Sequence, residues 1–253
     1  MVICPGAPAY FGDYYRFQID RQIYPIMTGL DAGLAGDEAG LKYQSMSGWL
    51  SEADDADDFS RAQHAGSTGP AMMLAKSLDL GGAEKLLDVA GGTGAYSIAF
   101  CEKFPDLTAT IIDFPSVIDV AAGFVGDAGM TERIALVGGD ALKTPWPEAQ
   151  GVVLMSYLLS AVGGGDIAEL LERSWNALRP GGRLLLHDFM LDDDRSGPVS
   201  TAAFFMTYLA MRTDPVSFTG AQVGSWAEER GFVDIRCDIM IPEITKIVTA
   251  TKP

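Results

Sequence analysis

Asp88, Asp113 and Asp140 stand in or at the ends of three apolar runs, "KLLDVA", "TATIIDF" and "RIALVGGD", and a turn with Gly91, Gly92 and Gly94 follows the first. Glycines at such a point let the backbone turn tightly and bring its peptide groups close to a ligand. Asp113, about 20 residues beyond the turn, stands where an acid accepts hydrogen bonds from a ribose diol, and Phe114 adjoins it. Asp140, followed by Ala141, offers an acceptor to an adenine amino group. Asp88 would repel a diphosphate and hold a cationic amino-acid group. Any one of these acids alone reads as a strand-end cap. Three on one rim beside a glycine turn read as a site for a ligand with positive charge and no phosphate.

S-adenosylmethionine has that character. The companion stretch is "VVLMSYLLSAVGGGD", residues 152–166, an apolar strand running into Ser156, Tyr157, Ser160 and three glycines, with no His, Asp, Glu or Lys before Asp166. Ser156, Tyr157 and Ser160 are expected to line the junction between cofactor and acceptor, with Ser156 and Tyr157 also touching the cofactor. A serine hydroxyl takes no proton at neutral pH unless another group activates it.

Alternating strands and helices from residue 85 onward must position these groups. "KLLDVA", "TATIIDF", "RIALVGGD", "GVVLMSY" and "RLLLHDF" read as strands, with helices between them, the last being "DIAELLERSWNALRPGG", ended by Pro-Gly-Gly. Residues 199–231 read as helix in two pieces, and "FVDIRCDIMI" with "TKIVTATKP" as a closing antiparallel pair. This order predicts a mostly parallel sheet covered on both faces. Upstream, residues 10–50 read as two helices with Tyr14, Phe17, Ile23 and Ile26 as a buried stripe and Pro25 as its bend. "SEADDADDF" reads as a solvated helix start rather than a metal cluster, and "SRAQHAGSTGPAMMLAKSLDL" as a helix with a small-residue turn. The expected division is a helical cap over 1–80 and a cofactor-binding catalytic domain over 81–253.

Bulk properties exclude several classes. The 253 residues carry a net charge of −16, which repels nucleic acid and anionic membranes. Three scattered cysteines and two histidines supply neither a disulfide framework nor a metal site, and fit a reduced cytoplasm. No run reaches the ~18 apolar residues of a membrane span. The expected partner is a small-molecule acceptor, without metal, nucleic acid or membrane.

"LLDVAGGTGAY", "IIDFPSV", "GGDAL" and "LRPGGRLLLHDF" resemble the class I S-adenosylmethionine-dependent methyltransferases, specifically the caffeate- and hydroxyindole-type O-methyltransferase family, over roughly the last three quarters of the chain. The resemblance implies an α/β fold: a Rossmann-like seven-stranded methyltransferase sheet, mostly parallel with an antiparallel last strand, and a helical N-terminal extension. Family glycines fall on Gly92 and Gly94, whereas the first is Ala90 here. Ser67 falls where the family has a serine near the methionine end of the cofactor. The family also implies an upstream winged-helix dimerisation domain, which the abrupt start of this chain lacks, so a homodimer is expected of a full-length protein. "YFGDYYRFQIDRQIYP", "FSRAQHAGSTGPAM", "MSYLLSAVGG" and "LLHDFMLDDDRSGP" are similar to bacterial methylthiohydroxybutyrate S-methyltransferases of dimethylsulfoniopropionate synthesis, which implies S-methylation of a small thioether acid.

In the O-methyltransferase family a His general base follows the strand matching "VVLMSY", and an acid after the next strand orients it. Those positions are Ser160 and Asp188. Three readings stay open. A thioether acceptor has no proton to lose, so alignment and exclusion of water would carry catalysis. Alternatively, His187 and Asp188 form a displaced base for an oxygen acceptor, although His187 also reads as a strand-end residue held by a neighbour. Or the domain binds its cofactor without catalysis. Tyr10, Tyr14 and Arg16 near the N-terminus, with Met206 and Arg212 in the helical roof, are candidate acceptor contacts: aromatic faces favour a sulfonium, and arginine pairs with a carboxylate.

Overall fold

The computed structural model describes residues 10–41, 50, 53–80, 82–211 and 216–253. Seven strands, β1 (Lys85–Val89), β2 (Thr108–Asp113), β3 (Ile134–Gly138), β4 (Gln150–Ser156), β5 (Leu178–Asp188), β6 (Val233–Ile241) and β7 (Thr245–Thr251), form one sheet in the order β3-β2-β1-β4-β5-β7-β6. The first five run parallel, and β7 is inserted antiparallel to both β5 and β6. Strand order reverses between β1 and β4, which opens a crevice beyond their carboxyl ends, the place where open α/β sheets bind ligands.

Alternate residues of the central strands serve opposite faces. Leu87, Val153, Met155, Leu184 and Leu186 pack with Ile167 and Leu170 of a helix over Gly164–Ala177, Phe205 of one over Val199–Leu209, and Val223 of one over Gly220–Glu229. Leu86, Val152, Leu154 and Leu185 face the other way, onto Leu74 of the helix Ala53–Ser77, Phe100 of Ala95–Lys103 and Val125 of Pro115–Asp127. In chain order after the N-terminal segment, these six are α1 (Ala53–Ser77), α2 (Ala95–Lys103), α3 (Pro115–Asp127), α4 (Gly164–Ala177), α5 (Val199–Leu209) and α6 (Gly220–Glu229). α1 therefore shares the core of the sheet. Among the described residues, no helix is long and apolar enough to cross a membrane.

Three local expectations are corrected. α1 runs unbroken from Ala53 to Ser77, through "HAGSTG" and with Pro70 inside it, where a turn was expected. α4 stops at Ala177, so "LRPGG" belongs to the start of β5 instead of ending the helix. The N-terminal stripe differs most. Tyr14–Ile23 is a π-helix leading into a short helical turn at Tyr24–Met27, with Pro25 at its start. Gln18 and Gln22 of the π-helix and Ile26 of the following turn are buried, while Phe17 is only half-buried, beneath Arg16 and Arg21.

Candidate active site

The turn after β1 is shaped by what cannot fit beside it. A Cβ on Gly91 would lie 2.6 Å from Asp88 Cγ, and one on Gly94 would lie 2.6 Å from Ile111 Cδ1, so glycine lets the turn close over the acid and α2 seat on the sheet. Gly92 and Gly94 have φ of +57° and +80°, and Ala90, where the family has glycine, still adopts a left-handed φ of +53°. At Gly92 a Cβ would meet nothing within 4 Å, because the peptide borders open space.

That space is a cavity of about 260 Å³, lined by the glycine turn and by four carboxylates, Asp88, Asp113, Asp140 and Asp166. No Lys, Arg or His lines it among the described residues. Burial pushes the Asp88 carboxyl up to about 7; the Ser97 hydroxyl, donating at 2.7 Å, pulls it down, and the Asp113 charge raises it further. Burial also raises Asp113, to about 6, against hydrogen bonds from the N–H groups of Gly92 at 2.8 Å and Phe114 at 2.7 Å. Asp140 is held below the usual carboxylate range: its partial burial is outweighed by hydrogen bonds from Lys143 and the Leu142 N–H. Phe114, Ala141, Ser67, Ser156 and Tyr157 complete the expected set along this wall. Gly94 does not line it and acts in packing.

A second cavity, of about 580 Å³, adjoins the first, sharing Phe59, Gln63, Ser67, Tyr157 and Ala161 with it. Its walls are aromatic. Phe11 stacks on Tyr14 at 4.7 Å, Phe189 on Phe204 at 3.7 Å, and Tyr208 meets Phe204 edge-on at 5.5 Å. Tyr157, at the junction, takes a left-handed φ of +59°, the kind of backbone outlier that clusters at ligand sites. No charged side chain lines this cavity among the described residues.

The remaining candidates separate from these walls. Ser160 is 1% exposed, its hydroxyl donating to Asp188 Oδ1 at 2.7 Å and its N–H to Oδ2 at 3.0 Å. Asp188 also accepts from the Phe189 N–H at 2.8 Å, and burial pushes it up to about 6. His187 is fully buried, with Nδ1 at 2.9 Å from the Tyr96 hydroxyl and 3.0 Å from Ser156 Oγ, and Nε2 at 2.9 Å from Thr245 Oγ1. Burial lowers it to about 3, so it is neutral and faces hydroxyls rather than a ligand. Neither histidine nor Asp188 lines either cavity: His64 is pinned to Thr93 of the glycine turn at 2.8 Å and stacks on Phe124. The expected displaced-base pair and Ser160 thus lie behind the cavity walls rather than on them.

Of the expected acceptor contacts, Tyr14 lines the second cavity, whereas Tyr10 does not. Arg16 is solvent-exposed over the Phe17 ring, and Met206 is 44% exposed and does not line the cavity. Arg212 lies outside the described residues. Sequence reasoning passed over Gln18, Phe59, Gln63, Asp166 and Phe189. Asp166 was visible as the acid closing the 152–166 stretch; the others face the site only through long-range packing.

The O-methyltransferase domain model matches residues 46–232. The chain belongs to that family. This O-methyltransferase-family chain is a methyltransferase, and it is 31% identical, over 92% of its length and 68% of the relative's, to 3-hydroxy-5-methyl-1-naphthoate 3-O-methyltransferase of Streptomyces sahachiroi. It is 27% identical, over 90% of its length and 67% of the relative's, to the tetracenomycin polyketide synthesis 8-O-methyl transferase of Streptomyces glaucescens. It thus spans about two thirds of these relatives, both named for transfer to oxygen. The structure of human N-acetylserotonin methyltransferase in complex with S-adenosylmethionine shares the fold, with a TM-score of 0.86 at 21% identity, over 98% of this chain and 72% of that one.

Proposed function

We propose that this chain transfers the methyl group of S-adenosylmethionine to a flat aromatic small molecule, at an oxygen that arrives already ionised. The observation that carries this reading is the pair of joined cavities: an acid-rimmed one opening, past Gln63, Ser67 and Tyr157, into an aromatic one.

The residues of the first cavity fit the cofactor. Four carboxylates without a basic side chain suit a cation and reject a diphosphate. Asp113 has spent two of its roughly four acceptor positions on backbone N–H groups, which leaves the rest for a ribose diol. Asp88 would face the amino-acid end, with Ser67 nearby, and Asp140 with Ala141 and Phe114 the adenosine end. Bound there, the cofactor supplies a methyl group on a sulfonium.

The chain's other residues orient and shield. Phe11, Tyr14, Phe189 and Phe204 hold a planar ring and keep water out, so proximity and alignment do most of the catalytic work. Ser160 is tied to Asp188 and His187 is sealed among hydroxyls, so neither takes a proton from the acceptor. An aromatic hydroxyl acidified by conjugation with a carbonyl across the ring needs no such help. The relatives named above, which act on a naphthoate and in polyketide synthesis, support this substrate class. S-methylation of a thioether acid is the competing reading, since it too needs no base; it lacks a cation on the described acceptor wall.

The test is a product screen by mass spectrometry with methyl-labelled cofactor. Naphthols with a carbonyl conjugated across the ring, unactivated phenols and methylthio acids are offered side by side. Labelled methyl ethers of the first group are expected. Labelled sulfonium products alone, or cofactor binding with no transfer, would overturn the proposal.

A further inference from the structure

One amide pair interrupts the aromatic wall. Gln63 Nε2 donates to Gln18 Oε1 at 2.8 Å; both residues line the acceptor cavity, and Gln63 also borders the cofactor cavity. Gln18 is only 3% exposed. A primary amide has two N–H donors and a carbonyl. The mutual bond uses one donor of Gln63 and one lone pair of Gln18, and Gln63 keeps its second N–H and its carbonyl. Buried polar groups are costly unless bonded, so a glutamine kept where two cavities meet is suited to a polar atom of the ligand.

The π-helix belongs to this arrangement. The fully buried residues of the π-helix are Gln18 and Gln22, whereas Phe17 is only half-buried, with Arg16 and Arg21 over its ring. π segments are rare, and they occur frequently at functional sites. Ten residues of this pitch carry Gln18 to a partner 45 positions away.

From this geometry we infer that Gln63, held by Gln18, forms a subsite that hydrogen-bonds a carbonyl or hydroxyl oxygen on the acceptor ring near the reacting atom, and thereby sets which ring position is methylated. The inference rests on the aromatic-acceptor reading above. A purely structural tie between the π-helix and α1 would support binding of every acceptor alike; an oxygen-reading subsite discriminates among them.

The test is calorimetry at saturating S-adenosylhomocysteine with 3-acetyl-1-naphthol and 3-ethyl-1-naphthol, which differ at a carbonyl oxygen that the hydroxyl of the same molecule does not reach. Three proteins are compared: the native chain, Gln63→Met and Gln18→Met, the substitutions keeping side-chain volume. The native chain is expected to prefer the acetyl compound by roughly tenfold, the scale of one buried hydrogen bond. Gln63→Met should shrink that ratio toward one, and Gln18→Met should shrink it part-way with affinity for S-adenosylhomocysteine unchanged. An equal ratio in all three proteins, or equal losses for both naphthols, would overturn the subsite while leaving the aromatic-acceptor reading standing. If the native chain binds neither naphthol, that reading falls and the subsite with it.

Discussion

The two cavities are built by opposite means. The acid-rimmed cavity is anchored on the glycine turn and on acids at or just beyond the carboxyl ends of β1, β2 and β3, with α1 and the loop after β4 along its other walls. The acceptor side is made of side chains gathered from the π-helix, α1, the loop after β4, the end of β5, α5 and the turn before β7. A rim set by short local motifs keeps one shape for one ligand. A wall assembled from distant side chains changes whenever one of them does, which suits a family whose acceptors differ.

The sharpest way to break the comparison is to damage one side and read both. Gly91→Ala sets a Cβ 2.6 Å from the Asp88 carboxyl carbon, so calorimetry with S-adenosylhomocysteine should show affinity falling by about 100-fold, some 3 kcal/mol. Thermal melting run in parallel should show the fold intact. An unchanged affinity would mean that the turn does not cradle the cofactor.

A smaller effect comes from protons. Asp88 has its carboxyl raised to about 7, and a cationic ligand binds its ionised form. S-adenosylmethionine affinity should therefore weaken as pH falls, by about tenfold between pH 8 and pH 6 for one proton, and level off above. Asp113, raised to about 6, acts in the same direction at the lower end. Asp88→Asn should flatten most of the slope; a flat profile in the native chain would remove Asp88 from the cofactor's amino-acid end.

Smaller still is the loss of one aromatic face. Phe204→Ala removes the 3.7 Å stack on Phe189, so the acceptor KM should rise several-fold, in line with the roughly 0.5–1.5 kcal/mol of an aromatic pair, while cofactor affinity stays put. Equal changes in both constants would erase the division between the two sides.

The same contrast governs what could be read from the sequence. The glycine turn, the acid of each of the first three strands and the alternation of strands and helices were legible because each is local: a short motif sets its own backbone. Gln18 and Gln63 were not, because their meeting depends on a π pitch that departs from the expected 3.6-residue stripe and on a helix that continues through "HAGSTG". Ser160 was legible as a residue type and illegible as a position. The hydrogen bonds it donates to Asp188 turn it inward, a long-range contact that residue spacing does not reveal. Arg16 failed because it lies exposed over the Phe17 ring, away from both cavities.

The central claim is that the acceptor brings its own anion because no side chain at the junction takes its proton. It is tested most directly by the pH dependence of kcat/KM at saturating cofactor, measured with two aromatic acceptors whose hydroxyl pKa values differ by about two units. The account predicts that the midpoint of the profile moves with the acceptor and is unmoved by His187→Gln. A midpoint that stays fixed when the acceptor is exchanged, or that vanishes with His187→Gln, would contradict it.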